Sequence, residues 1–213
     1  INNIKAVIWD WNGTLLNDTD ICIKCINQLL SKRNKKTLTK EIYTDIFTFP
    51  VKDYYQLAGF DFEEEEFEKP AMEFINLYHE NLPNAGLHKS VLTILTIIKN
   101  KNIPQYILSA MEHESLIKSL KYTGIYDYFL DIKGIDNHYA HSKLEMGIEL
   151  LKRINIKKSE ILLIGDTLHD KRVANDLGIN YILVAEGHQS KDRLLNNTPM
   201  VVDNLEEVCQ LFN

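Results

Sequence analysis

The sequence predicts an α/β fold with a parallel sheet core and an inserted all-helical segment. Two observations predict it. Short apolar runs alternate with segments of helical periodicity, and one long stretch near the start has helical periodicity but no convincing strand. Strand–helix alternation is typical of a parallel sheet that helices cover on both faces. With 213 residues, of which 45% are hydrophobic and 25% charged, the chain can build a sizeable core.

Apolar runs without polar alternation predict the strands of this core, because the strands of a parallel sheet are buried on both faces. They cover residues 6–9, 105–108, 128–132, 161–164 and 181–184, and residues 200–202 suggest a last short strand. Apolar residues spaced three and four apart predict the helices between and after them. These cover residues 87–100, 112–122, 142–154, 168–177 and 204–212.

The stretch between the first two strands predicts a second domain. Four helices are expected there, over residues 20–31, 39–47, 51–58 and 63–80, the last with a possible kink at Pro70. Pro83 and Gly86 are breakers at the return to the sheet. We therefore predict a core of residues 1–16 and 82–213 and a helical insert of residues 17–81.

Composition disfavours several classes of partner and site. The formal net charge of -6 is unlike that of a protein whose main partner is nucleic acid, since Lys and Arg hold phosphate backbones. There is no apolar run of about 20 residues and no signal-peptide core, which predicts a cytoplasmic protein without a membrane segment. Cys22, Cys25 and Cys209 suit a reducing compartment, and the C-x-x-C pair falls in a helical pattern that predicts ordinary apolar positions. We expect a monomer or a homodimer.

Polar side chains follow the predicted strands at their carboxyl ends. Asp10 follows the first strand, Ser109 the second and Asp166 the fourth, with Asp170 four residues further on. Lys143 opens the helix before that fourth strand. Open α/β sheets bind ligands at this rim, so we expect the five side chains to converge on one cleft.

This set of residues suits phosphoryl transfer. Asp10 can attack phosphorus and form an aspartyl-phosphate, and Asp10, Asp166 and Asp170 offer hard oxygen ligands for Mg²⁺. Ser109 and Lys143 can bind the transferring phosphoryl group. Backbone N–H groups at Trp11 and Ala110, next to the nucleophile and the serine, can bind phosphate oxygens too.

The chain resembles the haloacid dehalogenase (HAD) superfamily of hydrolases over nearly its whole length. Four ordered motifs carry the resemblance: VIWDWNGTL with Asp10, YILSA with Ser109, HSKLE with Lys143, and LLIGDTLHD with Asp166 and Asp170. The helical insert resembles the cap of the phosphoglycolate phosphatase-like branch. The resemblance implies a Rossmann-like core, a cap domain that closes over the cleft, Mg²⁺ as cofactor and a small phosphorylated metabolite as substrate.

One residue departs from the pattern of the family. Its phosphatases usually have Asp-x-Asp in the first motif, with the second Asp as general acid and base, whereas this chain has Asn12. An amide side chain cannot donate or accept the proton that a general acid and base transfers, and general acid–base catalysis is worth about 10² to 10⁴ in rate. The resemblance implies that Asn12 still binds metal through its backbone carbonyl, so metal binding is expected to survive while fast ester hydrolysis is in doubt.

Three interpretations stay open at this point. The chain could be a phosphatase that is slow, that uses His113, His169 or His188 as a substitute, or that prefers leaving groups needing no proton. It could be a phosphonatase-type C–P hydrolase that uses Lys52 of the insert as a Schiff base. It could be a binding protein for phosphorylated ligands without catalysis. The first is our expectation: a Mg²⁺-dependent phosphatase of small phosphorylated metabolites, with Lys52 as a contact for an anionic substrate tail.

Overall fold

A six-stranded, all-parallel sheet organises the protein in the computed structural model, which describes residues 3–135 and 143–212. The strands of this sheet are β1 (Ala6–Trp9), β4 (Gln105–Glu112), β5 (Asp131–Ile135), β6 (Ile161–Gly165), β7 (Asn180–Val184) and β8 (Val201–Val202). Their order across the sheet is β5-β4-β1-β6-β7-β8, so β1 lies inside the sheet between β4 and β6. The predicted α/β fold with a Rossmann-like core is confirmed.

Strand β1 is apolar throughout because both of its faces are covered. All four of its residues are fully buried. Val7 and Trp9 belong to one hydrophobic cluster and Ala6 and Ile8 to another, so the strand divides the core into two layers.

Helices flank the sheet and fill the insert. In the core they are α5 (Val91–Asn100), α6 (His113–Tyr122), α7 (Lys143–Arg153), α8 (Leu168–Leu177), α9 (Lys191–Leu195) and α10 (Leu205–Leu211). In the insert they are α1 (Thr19–Lys32), α2 (Lys40–Ile46), α3 (Val51–Ala58) and α4 (Glu68–Asn81). Within the described ranges, no helix has both the length and the apolar character that crossing a lipid bilayer requires.

A short antiparallel ribbon joins the helical insert to the core. Its strands are β2 (Leu16–Asn17) and β3 (Gly86–Leu87), which pair Leu16 with Leu87 and Asn17 with Gly86. The chain therefore leaves the core and returns to it at one place. The division into two domains remains our prediction.

Several predicted elements differ in position. Helix α5 begins at Val91 and not at residue 87, because Gly86–Leu87 form β3. Helix α4 begins at Glu68 and not at residue 63, which puts Pro70 in its first turn, where a missing N–H breaks no intrahelical hydrogen bond, and not at a kink in the middle. The third strand of the prediction, residues 128–132, is displaced to β5, because Tyr126–Tyr128 form a 3₁₀ turn. Residue 142, the predicted start of a helix, lies outside the described residues.

Candidate active site

Three carboxylates and one ammonium group meet at the carboxyl ends of β1 and β6. Oxygen atoms of Asp10, Asp166 and Asp170 lie within 4.8 Å of one another. The Lys143 Nζ donates hydrogen bonds to Asp10 and, at 2.5 Å, to Asp170. All four side chains are buried. We call this group the acidic cluster.

The pairing of the strands places these side chains. Trp9 of β1 is in register with Ile164 of β6, and the Asp10 N–H donates to the Ile164 carbonyl over 2.8 Å. Asp10 and Asp166 each follow their strand and so emerge side by side. The predicted convergence of strand ends therefore holds for this pair.

Helix α8 fixes the third carboxylate through its N-terminal cap. Thr167 and Asp170 form a capping box, in which the Thr167 N–H donates to Asp170 Oδ2 over 3.0 Å and the Asp170 N–H donates to the Thr167 hydroxyl over 3.4 Å. The Thr167 hydroxyl in turn donates to Asp170 Oδ2 over 2.6 Å. The other oxygen, Oδ1, accepts from Lys143 at the first turn of α7. Asp170 is thereby held between two helix ends.

The acidic cluster carries three carboxylates against a single internal ammonium. Burial, together with the neighbouring carboxylates, raises the pKa of Asp10 to about 6 and that of Asp166 to about 8 from an ordinary value of 3.8. Burial opposes ionisation of Asp170 as well, but the Lys143 ammonium holds its pKa below the ordinary value. The pKa of Lys143 is raised by the two carboxylates against the effect of burial. The site therefore favours additional positive charge.

Asp166 lies in a narrow space that glycine residues create. The His188 N–H donates to Asp166 Oδ2 over 2.6 Å, and the Thr14 hydroxyl lies 3.3 Å from Oδ1. A Cβ on Gly13 or on Gly187 would overlap the Asp166 carboxylate, and Gly13 also has a positive φ of 74°. Glycine at these two positions is what allows the loops after β1 and β7 to close on Asp166.

A further buried carboxylate, Asp18, lies between β2 and α1. Its Oδ1 accepts from the Gly13 N–H over 2.9 Å and lies 3.3 Å from His188 Nε2. Its Oδ2 accepts from the Asn12 amide over 2.9 Å and from the Tyr78 hydroxyl over 2.7 Å. Burial opposes ionisation, but the hydrogen-bonded His188 holds the pKa of Asp18 below its ordinary value.

His188 completes this arrangement as a cation. Burial favours its neutral form, but the Asp18 carboxylate raises the pKa of His188 to about 9. Its Nδ1 lies 2.9 Å from the Tyr43 hydroxyl of α2. Atoms of Asp18, Cys22 and His188 are close enough to ligate an ion. That set contains one carboxylate, whereas the acidic cluster offers three, and carboxylate oxygens are the ligands that Mg²⁺ prefers, so the acidic cluster is the better site for such a cation.

The loop after β7 attaches the helical insert to the core. The Arg193 guanidinium donates to the carbonyls of Asp45 and Phe47, over 2.8 and 2.6 Å, at the C-terminal end of α2. The Gln189 side chain donates to the same Phe47 carbonyl and accepts from the Leu168 N–H, each over 2.8 Å. One glutamine therefore joins the end of α2 to the start of α8.

Aromatic rings cover the same boundary. Phe49, before α3, stacks on His169 of α8 with ring centroids 4.6 Å apart. Phe47 lies 4.9 Å from the His188 ring. Burial lowers the pKa of His169 to about 4, and its Nδ1 is buried without a partner among the described residues. The segment before α3 thus contacts helix α8 and the loop after β7, while the role of α3 in substrate contact remains a prediction.

The other predicted phosphate-binding residues lie beside the cluster. Ser109 and Ala110 lie inside β4, which continues to Glu112 with an irregular register after Leu108, and the Ser109 Oγ accepts from the Met111 N–H over 3.0 Å. The strand therefore does not end at Ser109 as predicted. Trp11 is fully buried, and a contact of its backbone N–H with phosphate remains a prediction.

The contacts described for Lys52 and His113 are with residues outside the acidic cluster. The exposed Lys52 Nζ lies 5.6 Å from the centre of the Phe62 ring, and Lys52 lines a surface cavity together with residues of the insert alone. His113 Nδ1 accepts from the Gly134 N–H of β5 over 3.4 Å. The contacts described for Lys52 give no support to a Schiff base at the cleft.

Sequence reasoning missed the residues that surround Asn12 and Asp166. Thr14, Asp18, Tyr43, Tyr78 and Gln189 all contact the site or its boundary. The sequence offers a signal for two of them: Thr14 lies within the first motif, and Asp18 lies next to the predicted boundary between core and insert. The two tyrosines read as ordinary positions of helical patterns.

Comparison with known proteins agrees with this geometry. A curated phosphoglycolate phosphatase from Rhodobacter capsulatus is 22% identical over 191 residues, covering 86% of this chain and 85% of that protein. A pyrophosphatase, PpaX, from Listeria welshimeri is 24% identical and covers 78% and 76%. A haloacid dehalogenase-like family hydrolase from Streptococcus pneumoniae has the same fold, with a TM-score of 0.84 over 100% of both chains at 18% identity. A profile of the family described as haloacid dehalogenase-like hydrolase matches residues 7–184, a stretch that runs from β1 through β7 and holds the whole acidic cluster. The chain therefore belongs to the haloacid dehalogenase-like hydrolase family.

Proposed function

We propose that the protein is a Mg²⁺-dependent phosphatase of small phosphorylated metabolites that acts through an aspartyl-phosphate. The observation that carries the proposal is the acidic cluster: a buried carboxylate, Asp10, lies against Lys143 and beside Asp166 and Asp170. Relatives named as phosphatases of phosphoglycolate and pyrophosphate support the reaction class.

The chemistry assigned to the chain is a double displacement. A carboxylate oxygen of Asp10 attacks phosphorus, the bond from phosphorus to the leaving oxygen breaks, and that oxygen departs with the electron pair. Water then attacks phosphorus, the bond to Asp10 breaks, and the carboxylate is regenerated with release of inorganic phosphate. Since the pKa of Asp10 is about 6, the group is mainly ionised near neutral pH, as a nucleophile must be.

Lys143 and Ser109 of β4 are proposed to bind the transferred phosphoryl group. The Lys143 ammonium is fixed next to the nucleophile by its bonds to Asp10 and Asp170, so it can offset the negative charge of an incoming phosphoryl group without moving far. Ser109, on the strand next to β1, is proposed to donate its hydroxyl to a phosphate oxygen.

The donor set fits a divalent cation. Three converging carboxylates with one ammonium leave an excess of negative charge in a buried site, and hard oxygen ligands are those that Mg²⁺ prefers. Asp10, Asp166 and Asp170 would hold it, with the Asn12 backbone carbonyl as the further ligand that the resemblance implies. When bound, Mg²⁺ supplies charge stabilisation for the phosphoryl group.

The test is phosphate release from a panel with and without Mg²⁺. The panel contains phosphoglycolate, sugar phosphates, nucleotides, pyrophosphate, acetyl phosphate and phosphonoacetaldehyde. We expect metal-dependent release that Asp10→Asn abolishes, while Cys209→Ala, at a site far along the chain on α10, retains it. Release from phosphonoacetaldehyde alone would instead favour a C–P hydrolase. Binding of Mg²⁺ and phosphate esters without any release would favour a binding protein.

A further inference from the structure

The side-chain amide of Asn12 has a fixed orientation, and this orientation bears on the substrate. We propose that Asp18 and Tyr78 are positioning residues that commit the amide nitrogen of Asn12 to the helical insert, so that the protein prefers phosphoanhydrides and acyl phosphates over alkyl phosphate esters. This inference rests on the proposed phosphatase function and names its substrate class.

Three polar atoms form a closed triangle at the base of the insert. Asn12 Nδ2 lies 2.9 Å from Asp18 Oδ2 and 2.7 Å from the Tyr78 hydroxyl, and that hydroxyl lies 2.7 Å from the same Asp18 oxygen. Asp18 and Tyr78 are both buried. Only one assignment of donors satisfies all three contacts: the amide donates to both partners, and the hydroxyl donates to the carboxylate.

The charge of Asp18 fixes that assignment. A carboxylate accepts hydrogen bonds and donates none, so the amide must turn its nitrogen toward Asp18 and keep its oxygen away. The Gly13 N–H and the His188 imidazole occupy the other Asp18 oxygen, which holds the carboxylate in place. The carbonyl oxygen, Oδ1, is the end of the Asn12 side chain that remains for a ligand.

This orientation has a chemical consequence at the position that the family uses for its general acid. The amide cannot give up a proton, and its nitrogen is already engaged with the insert, so a leaving oxygen receives neither a proton nor a free donor from Asn12. An alkoxide is strongly basic and departs poorly without a proton. A phosphate or a carboxylate is stable as an anion, so anhydride substrates lose little from this arrangement.

His188 is not free to supply the missing donor. Both ring nitrogens of His188 are engaged, with Asp18 and with Tyr43. His169 stacks on Phe49, and its Nδ1 has no partner among the described residues, so His169 is an alternative donor that the experiment must test.

The decisive measurement is the leaving-group dependence of kcat/KM. We would use aryl phosphates of graded leaving-group acidity, an alkyl phosphate, acetyl phosphate and pyrophosphate. The wild-type protein should show a steep fall from acidic to basic leaving groups. The exchanged pair Asn12→Asp/Asp18→Asn keeps the net charge and one donor–acceptor contact but restores a carboxyl group at position 12. It should raise kcat on alkyl phosphate by about 10² to 10⁴ and leave the anhydrides nearly unchanged.

Single variants separate this role from a structural one. Asn12→Asp alone places two carboxyl groups in the contact that now measures 2.9 Å, so it should gain less than the exchanged pair. Cys22→Ala is the matched control, because Cys22 Sγ lies 3.8 Å from the same Asp18 oxygen but is not part of the triangle. The dependence of its kcat/KM on leaving-group acidity, here called the slope, should equal that of the wild type. His169→Gln should also keep the wild-type slope. A steeper slope in His169→Gln would identify His169 as the proton donor and overturn the proposal.

A readout without turnover keeps the orientation testable by itself. The side-chain amide protons of Asn12, identified by their loss in Asn12→Asp, should exchange with solvent much more slowly than those of the exposed Asn17, and Asp18→Ala should remove the protection. Exchange as fast as that of Asn17 in the wild type would overturn the orientation. Equal kcat/KM on alkyl phosphate and acetyl phosphate would overturn the substrate preference. Absence of turnover on every substrate would overturn the proposed function and with it the preference, while exchange would still decide the orientation.

Discussion

Replacing Lys143 by Met tests whether the ammonium is what permits three carboxylates to be buried together. Lys143 is 4% exposed, and the substitution keeps an unbranched side chain of similar length while removing the charge that bonds Asp10 and Asp170. Removing one partner of a buried ion pair costs about 3–5 kcal/mol, because the remaining charge stays unpaired. In a chain of this size, that corresponds to a Tm lower by about 6–20 °C.

The assay is thermal unfolding in metal-free buffer, with Lys89→Met as the matched control. Lys89 pairs with Glu206 at 3.4 Å on the surface, with both side chains more than half exposed, so its loss should cost less than about 1 kcal/mol. Saturating Mg²⁺ should recover part of the stability lost in Lys143→Met, since a cation bound only by the folded state replaces the missing charge. A Lys143→Met protein with the wild-type Tm in metal-free buffer would refute the reasoning.

Two further perturbations have expected outcomes. In metal-free buffer, the unfolding free energy should fall as pH rises from about 4 to 8. Asp10 and Asp166 have pKa values raised from 3.8 to about 6 and 8, so over this range the folded state holds protons that the unfolded chain releases. Urea unfolding at several pH values checks this, and saturating Mg²⁺ should reduce the dependence of the unfolding free energy on pH. Arg193→Ala should lower the unfolding free energy by about 1.5–3 kcal/mol, since it removes charge-assisted bonds to Asp45 and Phe47. Lys191→Ala, which breaks a half-exposed pair, should stay within about 1 kcal/mol of the wild type; equal losses in the two variants would contradict the role of Arg193.

The local pattern of apolar residues was sufficient to predict the sheet and to locate the polar residues that follow its strands. Burial on both faces makes β1 and β6 uninterrupted apolar runs, so the acids that follow them, Asp10 and Asp166, could be located without knowing any contact. Lys143 could be placed at the start of a helix for the same reason. These residues depend on the periodicity of single elements, which the sequence records directly.

The surroundings of Asn12 could not be predicted because they are assembled over long distances in the sequence. Tyr78 belongs to α4 and His188 to the loop after β7, yet both contact Asp18. Neither residue interrupts its own local pattern. The predicted start of α4 was wrong for a local reason. The acidic run 63–66 suits a helix N-terminus by composition, but Pro70 has to lie in the first turn of the helix, so the helix begins after the acidic run.

The ribbon between core and insert has a consequence for how such proteins diversify. Since β2 and β3 run side by side, the core meets the insert as it would meet the loop of a β-hairpin, whatever the number of residues between them. The entropy of closing a loop rises only slowly, by about 0.6 kcal/mol for each doubling of its length. Long additions or deletions in the helices of the insert therefore change the entropic cost of folding the sheet very little. A lineage can therefore exchange the helical insert while the acidic cluster, whose residues belong to the sheet and its flanking helices, stays unchanged.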